Sequence, residues 1–370
     1  MSAFPNHEPR GRPGSLFPLT EPEPACITGA PEFPEIEASR RGGNERRSGL
    51  TERILFITST RVGDAILSTG LLGHLLQKYP AARVTIACGP AAAGLFEAVP
   101  NLERIVVLDK MVLSFHWLGL WAATVGHVWD AIVDLRGSPM TYVLAAKRRY
   151  RMVSDRSPVH RLYRLADVLG LAANPPAPRL WFADRHLKRA RALIPDGPPV
   201  LAVGPTANWR AKMWPPDRFA ELIRRLTAPG GVLPGGRAAI FGRDDERPQA
   251  LHLIEAVPPE VRIDLVGHLD LLEVGACLAR CALYVGNDSG LMHLAAATGI
   301  PTLGLFGPTP DVHYAPWGSR CGVVRTSIPL ERIFPAGFDH RNSGSLMESL
   351  SVDAAEDAVR SLWRQAKAAE

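Results

Sequence analysis

The sequence predicts an α/β protein built as two Rossmann-like halves facing a central cleft. Short apolar runs alternate with helix-length segments twice over, first from residue 53 and again from residue 200. The runs are nearly continuous in apolar residues, the pattern of parallel strands covered on both faces. At 370 residues with 46% hydrophobic content, the chain is too long for one ordinary core and apolar enough to fill two.

Taken in order, residues 1–48 are rich in Pro, Gly, Glu and Arg and carry no apolar periodicity, so they read as a disordered tail. Its cluster of Arg40, Arg41, Arg46 and Arg47 is either a solvated charge run or a contact for anionic lipid. Residues 49–195 form the first half. The run RILFI (53–57) is a buried strand that passes through a turn at Arg61-Val62-Gly63 into a helix over 64–78. Further strands fall at 83–88, 104–108 and 130–135. The segment before the fourth strand holds Phe115, Trp117, Trp121 and Trp129, which serve either as core or as a lipid- or acceptor-facing patch. Beyond it the chain turns strongly basic, with Arg136, Lys147, Arg148, Arg149, Arg151, Arg156, Arg161 and Arg164 close together.

Prolines at 175, 176 and 178, and again from 195 to 199, mark a linker and place the boundary near 195. Residues 196–350 then repeat the alternation, with strands at 200–203, 238–241, 262–266, 281–285 and 301–306. Helices fall between them at 216–226, 245–256, 271–280 and 291–298. A last helix falls at 352–368 within residues 351–370, and by analogy with other folds of two such halves, not from its own sequence, it is expected to cross back and brace the first half.

Five cysteines, odd in number and without a Cys-x-x-Cys pair, indicate neither a disulfide framework nor a zinc site and fit a reducing cytoplasm. No apolar segment follows Met1, and no run reaches the roughly 18 apolar residues of a spanning helix. The expected location is therefore cytoplasmic, with peripheral contact to an anionic inner-membrane surface. A net charge of +5 is a mild excess that favours acidic partners without requiring nucleic acid.

The densest stretch is GNDSGLMHLAAATGIPTLGLFGPTP, residues 286–310. It reads as strand end, helix start, Ala-rich helix and second strand, a parallel crossover whose ligand face lies at the strand ends. Asn287, Asp288 and Ser289 supply N-cap chemistry. An anion fits where Ser289 and Gly290 open the helix, because free backbone N–H groups and the helix dipole favour negative charge there. His293 is either a core histidine or a pocket residue. Elsewhere, Asp64 sits at a strand-to-helix turn, Lys212 lies in a polar loop with Thr206, Ala207 and Asn208, and Asp244, Asp245 and Glu246 follow the strand at 238–241. No carboxylate pair or Asp-x-Asp spacing points to a divalent metal, and no Walker loop or Gly-x-Gly-x-x-Gly follows the first strand.

Asp288-Ser289-Gly290 with His293, Ala295–Ala297, Gly299-x-Pro301 and Phe306-Gly307-Pro308-Thr309 together resemble the nucleotide-binding signature of family 9 glycosyltransferases, the bacterial heptosyltransferases. Arg61-Val62-Gly63-Asp64 and Lys212-x-Trp214-Pro215 resemble two further motifs of that family. The resemblance implies the GT-B arrangement, with an acceptor domain followed by a nucleotide-sugar domain. It implies an inverting transfer of heptose from ADP-heptose to a lipopolysaccharide core, without a metal or other cofactor. Asp64 would be the general base, and Lys212, Ser289 and Gly290 would hold the diphosphate. Glu246 would take the ribose, Leu269 would lie near the adenine, and Asp288 and His293 would shape the pocket. Arg61, Arg136, Arg148, Arg149 and Arg151 would face the acidic acceptor. Two alternatives remain open on the residues alone: another GT-B enzyme, such as an epimerase or a transferase with a different donor, and a non-catalytic binding protein.

Overall fold

Two all-parallel sheets organise the chain. In the computed structural model, residues 52–109, 116–153, 157–335, 337–339 and 343–369 are described, so the expected N-terminal tail, Phe115 and Arg156 lie outside the described residues. The first sheet contains β1 (Arg53–Ile57), β2 (Arg83–Cys88), β3 (Leu102–Val107), β4 (Trp129–Asp134) and β5 (Ala146–Arg151), in the order β3-β2-β1-β4-β5. The second contains β6 (Val200–Gly204), β7 (Arg237–Ile240), β8 (Arg262–Asp264), β9 (Leu283–Asn287), β10 (Thr302–Phe306) and β11 (Cys321–Arg325), in the order β11-β10-β9-β6-β7-β8. The α/β class and the two Rossmann-like halves are as the sequence predicts. Strands β5 and β11 are additions at the sheet edges.

In the first half the helices are α1 (Val62–Lys78), α2 (Pro90–Ala93), α3 (His116–Thr124), α4 (Met140–Val143), α5 (Arg161–Asp167) and α6 (Asp184–Leu193). In the second they are α7 (Pro216–Thr227), α8 (Arg247–Ala256), α9 (Leu271–Leu278), α10 (Gly290–Ala297), α11 (Asp311–Tyr314) and α12 (Val352–Ala368). Strand β1 shows why apolar runs become central strands here. Ile54 and Phe56 enter one core beneath α1, while Leu55 and Ile57 enter another beneath α3, so both faces remove apolar surface from water.

The first of these cores continues into the second half through Val200, Ala202, Tyr284 and Met292. Helix α1, buried from Ala65 to Gly73, packs against α10 and α5. The chain crosses between halves ahead of the boundary expected near 195. The Arg179 N–H donates to Thr69 Oγ1 of α1 at 2.9 Å, Leu180 and Phe182 lie against Gly275 of α9, and α6 packs on α9. The last helix packs on the second sheet rather than the first. Its Ala355, Val359 and Leu362 join the core beneath α7, and the helix contacts α7, β10 and β11. Its apolar positions recur at helical spacing, so they form a single face, and the second sheet takes that face.

Register aligns the strand ends that matter. Gly204 of β6 stands opposite Gly286 of β9, so the loops leaving these two strands begin side by side. Among the described residues, no helix is long and apolar enough to cross a membrane.

Candidate active site

The site forms where the N-termini of α1 and α10 meet. On the α10 side, fully buried Asn287 fastens the neighbouring loop: Nδ2 donates to the Pro205 carbonyl at 2.7 Å, and Oδ1 accepts the Trp214 N–H at 3.0 Å. That loop carries Lys212, in the 3-10 turn Arg210–Lys212, to Asp288. Lys212 Nζ lies 2.8 Å from Asp288 Oδ2, and Thr309 Oγ1 donates to the same oxygen at 2.8 Å. Ser289 takes the N-cap position in extended conformation, but its side chain makes no capping hydrogen bond. The first-turn N–H groups of α10 are thus left without a side-chain cap, beside an ammonium group.

On the α1 side, Asp64 lies in the first helical turn, and its Oδ1 accepts from Arg161 Nε of α5 at 3.1 Å. Gly63 belongs to that helix rather than to a turn before it. A Cβ there would stand 3.0 Å from His293 Cδ2, and one on Gly290 would stand 3.3 Å from Val62 Cβ. Both glycines therefore permit the two helix ends to approach, and the space above Gly290 is filled by α1. His293 is buried beneath this contact, and burial pushes its pKa down to about 4, so the imidazole is neutral near pH 7.

The two halves are also joined beside Asp64 by the segment after β10. His160 Nε2 bonds the Ala315 carbonyl at 2.9 Å, His313 Nδ1 bonds the Val159 carbonyl at 3.1 Å, and Trp317 packs on His160 and Tyr163. Tyr314 lies edge-on to His293, and its hydroxyl pKa is raised by burial and then by nearby Asp64.

Three carboxylates follow β7, and the structure separates them. Glu246 Oε2 accepts from Thr206 Oγ1 at 2.9 Å and from the Arg243 N–H at 3.0 Å, with its side chain 15% exposed. Asp245 points outward to Arg243 and is 68% exposed, and Asp244 packs against Gly267, whose φ is +80°. Glu246 alone turns inward toward the β6 loop. Ala207 is buried in that loop, Asn208 is exposed, and Leu269 is half-buried.

The basic stretch divides in the same way. Arg61 is exposed at the N-cap of α1. Arg136, just beyond β4, stacks over Trp117 at 4.7 Å, and burial draws its pKa down. Arg151 ends β5, donates to the Gly137 carbonyl at 2.5 Å and lies over Tyr142. Arg148 and Arg149 are not brought to Asp64. Arg148 donates to the hydroxyl of Tyr79, the C-cap of α1, which is about 22 Å of helix away from Asp64. Arg149 donates to the carbonyls of Thr141, Leu144 and Ala146, closing the turn between α4 and β5. Tyr314 enters the site without having been singled out, and Arg161 of the basic stretch and Thr309 of the 286–310 signature enter it in contacts with Asp64 and Asp288 that the sequence did not specify. Only their partners across the fold distinguish them from other residues of their kind. Among the described residues, no three His, Cys, Asp or Glu side chains gather as a metal site.

A sequence model described as Glycosyltransferase family 9 (heptosyltransferase) matches residues 133–332, more than half of the chain. The chain belongs to glycosyltransferase family 9. Its match spans Lys212, Glu246 and the whole of 286–310, and begins after Asp64. Lipooligosaccharide heptosyltransferase 2 of Haemophilus influenzae is 27% identical over 314 residues, covering 74% of this chain and 88% of the relative. A family 9 glycosyl transferase from Veillonella parvula has a similar solved structure, with a TM-score of 0.70 and 19% identity over 86% of this chain and 100% of that one. The Escherichia coli ADP-heptose lps heptosyltransferase II follows at 0.66 and 20%, over 85% of this chain and 99% of that one. These likenesses establish the GT-B fold. The family membership makes the chain a glycosyltransferase.

Proposed function

We propose that the chain transfers heptose, with inversion, from ADP-heptose to an inner-core sugar of lipopolysaccharide. The observation that carries this reading is the meeting of α1 with α10, with a carboxylate on one side and, on the other, a cation beside helix N–H groups that carry no side-chain cap. Asp64 removes the proton from an acceptor hydroxyl, whose oxygen bonds to the anomeric carbon. The bond from that carbon to the β-phosphate oxygen breaks, and its electron pair leaves with ADP. Lys212 and the N-terminus of α10 take up the charge that grows on the diphosphate, so the step proceeds without a metal. Neutral His293 shapes the pocket and adds no charge.

Glu246 receives the ribose hydroxyls, and Leu269 lies toward the adenine. Arg61, Arg136 and Arg151, near the ends of helix and strands on the acceptor side, meet the acidic core. The names of the relatives support the donor and acceptor classes, and the free Cys88, Cys277, Cys281 and Cys321 support a reducing cytoplasmic setting. The test is incubation with ADP-heptose and truncated lipopolysaccharide acceptors, followed by mass spectrometry. A heptose mass increment is expected. Transfer from another sugar nucleotide but not ADP-heptose would refute the donor assignment, and donor turnover without an acceptor product would refute the acceptor assignment.

A further inference from the structure

The outer face of the first sheet is covered by an unusual helix. Leu55, Ile57, Ile132 and Trp129 on that face pack under Leu120 of α3, with Trp117, Met140 and Leu144 beside it. Helix α3, HWLGLWAAT, contains no Asp, Glu, Lys or Arg. A helix closing a soluble sheet ordinarily turns charges to water, but this one turns out Leu118 (58% exposed) and Trp121 (38%), followed just beyond its end by Val125 and Val128. Helix α4, which shares the same core, adds exposed Tyr142 and Val143. Exposed apolar side chains gathered over one small core in this way mark an interaction site.

Charge identifies what covers it. Arg104 donates to the Ala123 carbonyl at the end of α3, Arg136 lies over Trp117, and Arg151 lies over Tyr142. The strand beside α4 adds Lys147 and Arg149, whereas Arg148 lies on the opposite face with Tyr79. An apolar helix face with Trp and Tyr, rimmed by cations, matches the boundary between acyl chains and anionic headgroups. A second copy would bring the same cationic rim against itself, which opposes self-association. We infer that α3 and α4 form a docking surface for an anionic lipid bilayer. This surface extends the proposed function, in which the acceptor is lipid-linked, because it would hold the first half against the membrane that carries the acceptor.

The test uses the full chain and vesicles without any substrate, so its outcome does not depend on the transfer reaction. Wild type is expected to cosediment with phosphatidylglycerol/phosphatidylethanolamine vesicles and not with phosphatidylcholine vesicles. Binding should weaken with salt. The Leu118→Gln/Trp121→Gln variant changes exposed side chains only; it should bind about tenfold more weakly, while its thermal unfolding and ADP affinity stay at wild-type values. Equal vesicle binding by the variant, or none by wild type, overturns the inference. So does a wild-type dimer in sedimentation velocity that the variant dissolves, which would assign the surface to a second copy. Should the variant lose stability, the single Leu118→Gln change is read in its place against the same criteria.

Discussion

A His293→Gln variant should remove an acid-sensitive part of the protein's stability. His293 is 4% exposed under the junction of α1 and α10, and burial lowers its pKa from 6.5 to about 4. Below pH 6.5 the unfolded chain takes up a proton at this residue that the folded chain refuses until about pH 4. The stabilising contribution is therefore complete above pH 7, falls as pH drops through 6.5 to 4, and levels off below that. A gap of this size corresponds to about 3 kcal/mol. Urea unfolding of wild type and variant at several pH values between 7.5 and 4 gives the measurement, extrapolated to zero denaturant. The carboxylates and His160, also shifted down by burial, are common to both proteins and cancel in the difference. Wild-type stability minus variant stability should decrease by about 3 kcal/mol over this range. A difference that stays constant, or grows toward acid, would refute a buried neutral His293.

Three further predictions concern ligands. Replacing Lys212 with Met should weaken ADP binding by roughly 10- to 150-fold, the worth of a charge-assisted hydrogen bond, and leave AMP nearly unaffected by calorimetry; pairing it with Asp288→Asn controls for the carboxylate left behind. Glu246→Gln should abolish discrimination between ADP and its 2′,3′-dideoxy analogue, whereas Asp245→Asn, altering an outward-facing carboxylate, should retain it. Exhaustive chelation should leave the transfer rate unchanged, and a rate restored by one added metal would show that Lys212 and α10 do not suffice.

The central strands were legible because burial on both faces demands unbroken apolar runs: RILFI and RVTIAC are β1 and β2 to the residue. Edge strands obey weaker rules. Strand β5, AKRRYR, hid its pairing with β4 behind four cations and read only as a basic patch, and β11 is short and half-buried throughout. The site was legible where its chemistry is local, as in Asp288-Ser289-Gly290 at the start of α10. It was not legible where a partner distant in sequence decides. Gly63 reads as a turn glycine until His293 is seen against it, and Arg161 is one arginine among many until it reaches Asp64. Arg148 and Arg149 show the reverse, because their charge suggested a ligand and the fold gives it to Tyr79 and to backbone carbonyls.

The account rests on Asp64 acting as the base across from the diphosphate site. Asp64→Asn keeps the side-chain shape and an oxygen for the Arg161 Nε–H, but removes the basic carboxylate. Single-turnover transfer from ADP-heptose, measured beside ADP affinity on the same preparation, tests the claim. The rate should drop by about 10²- to 10⁴-fold with ADP affinity unchanged. Transfer at the wild-type rate would contradict the assignment of Asp64, and so would a parallel loss of rate and ADP binding.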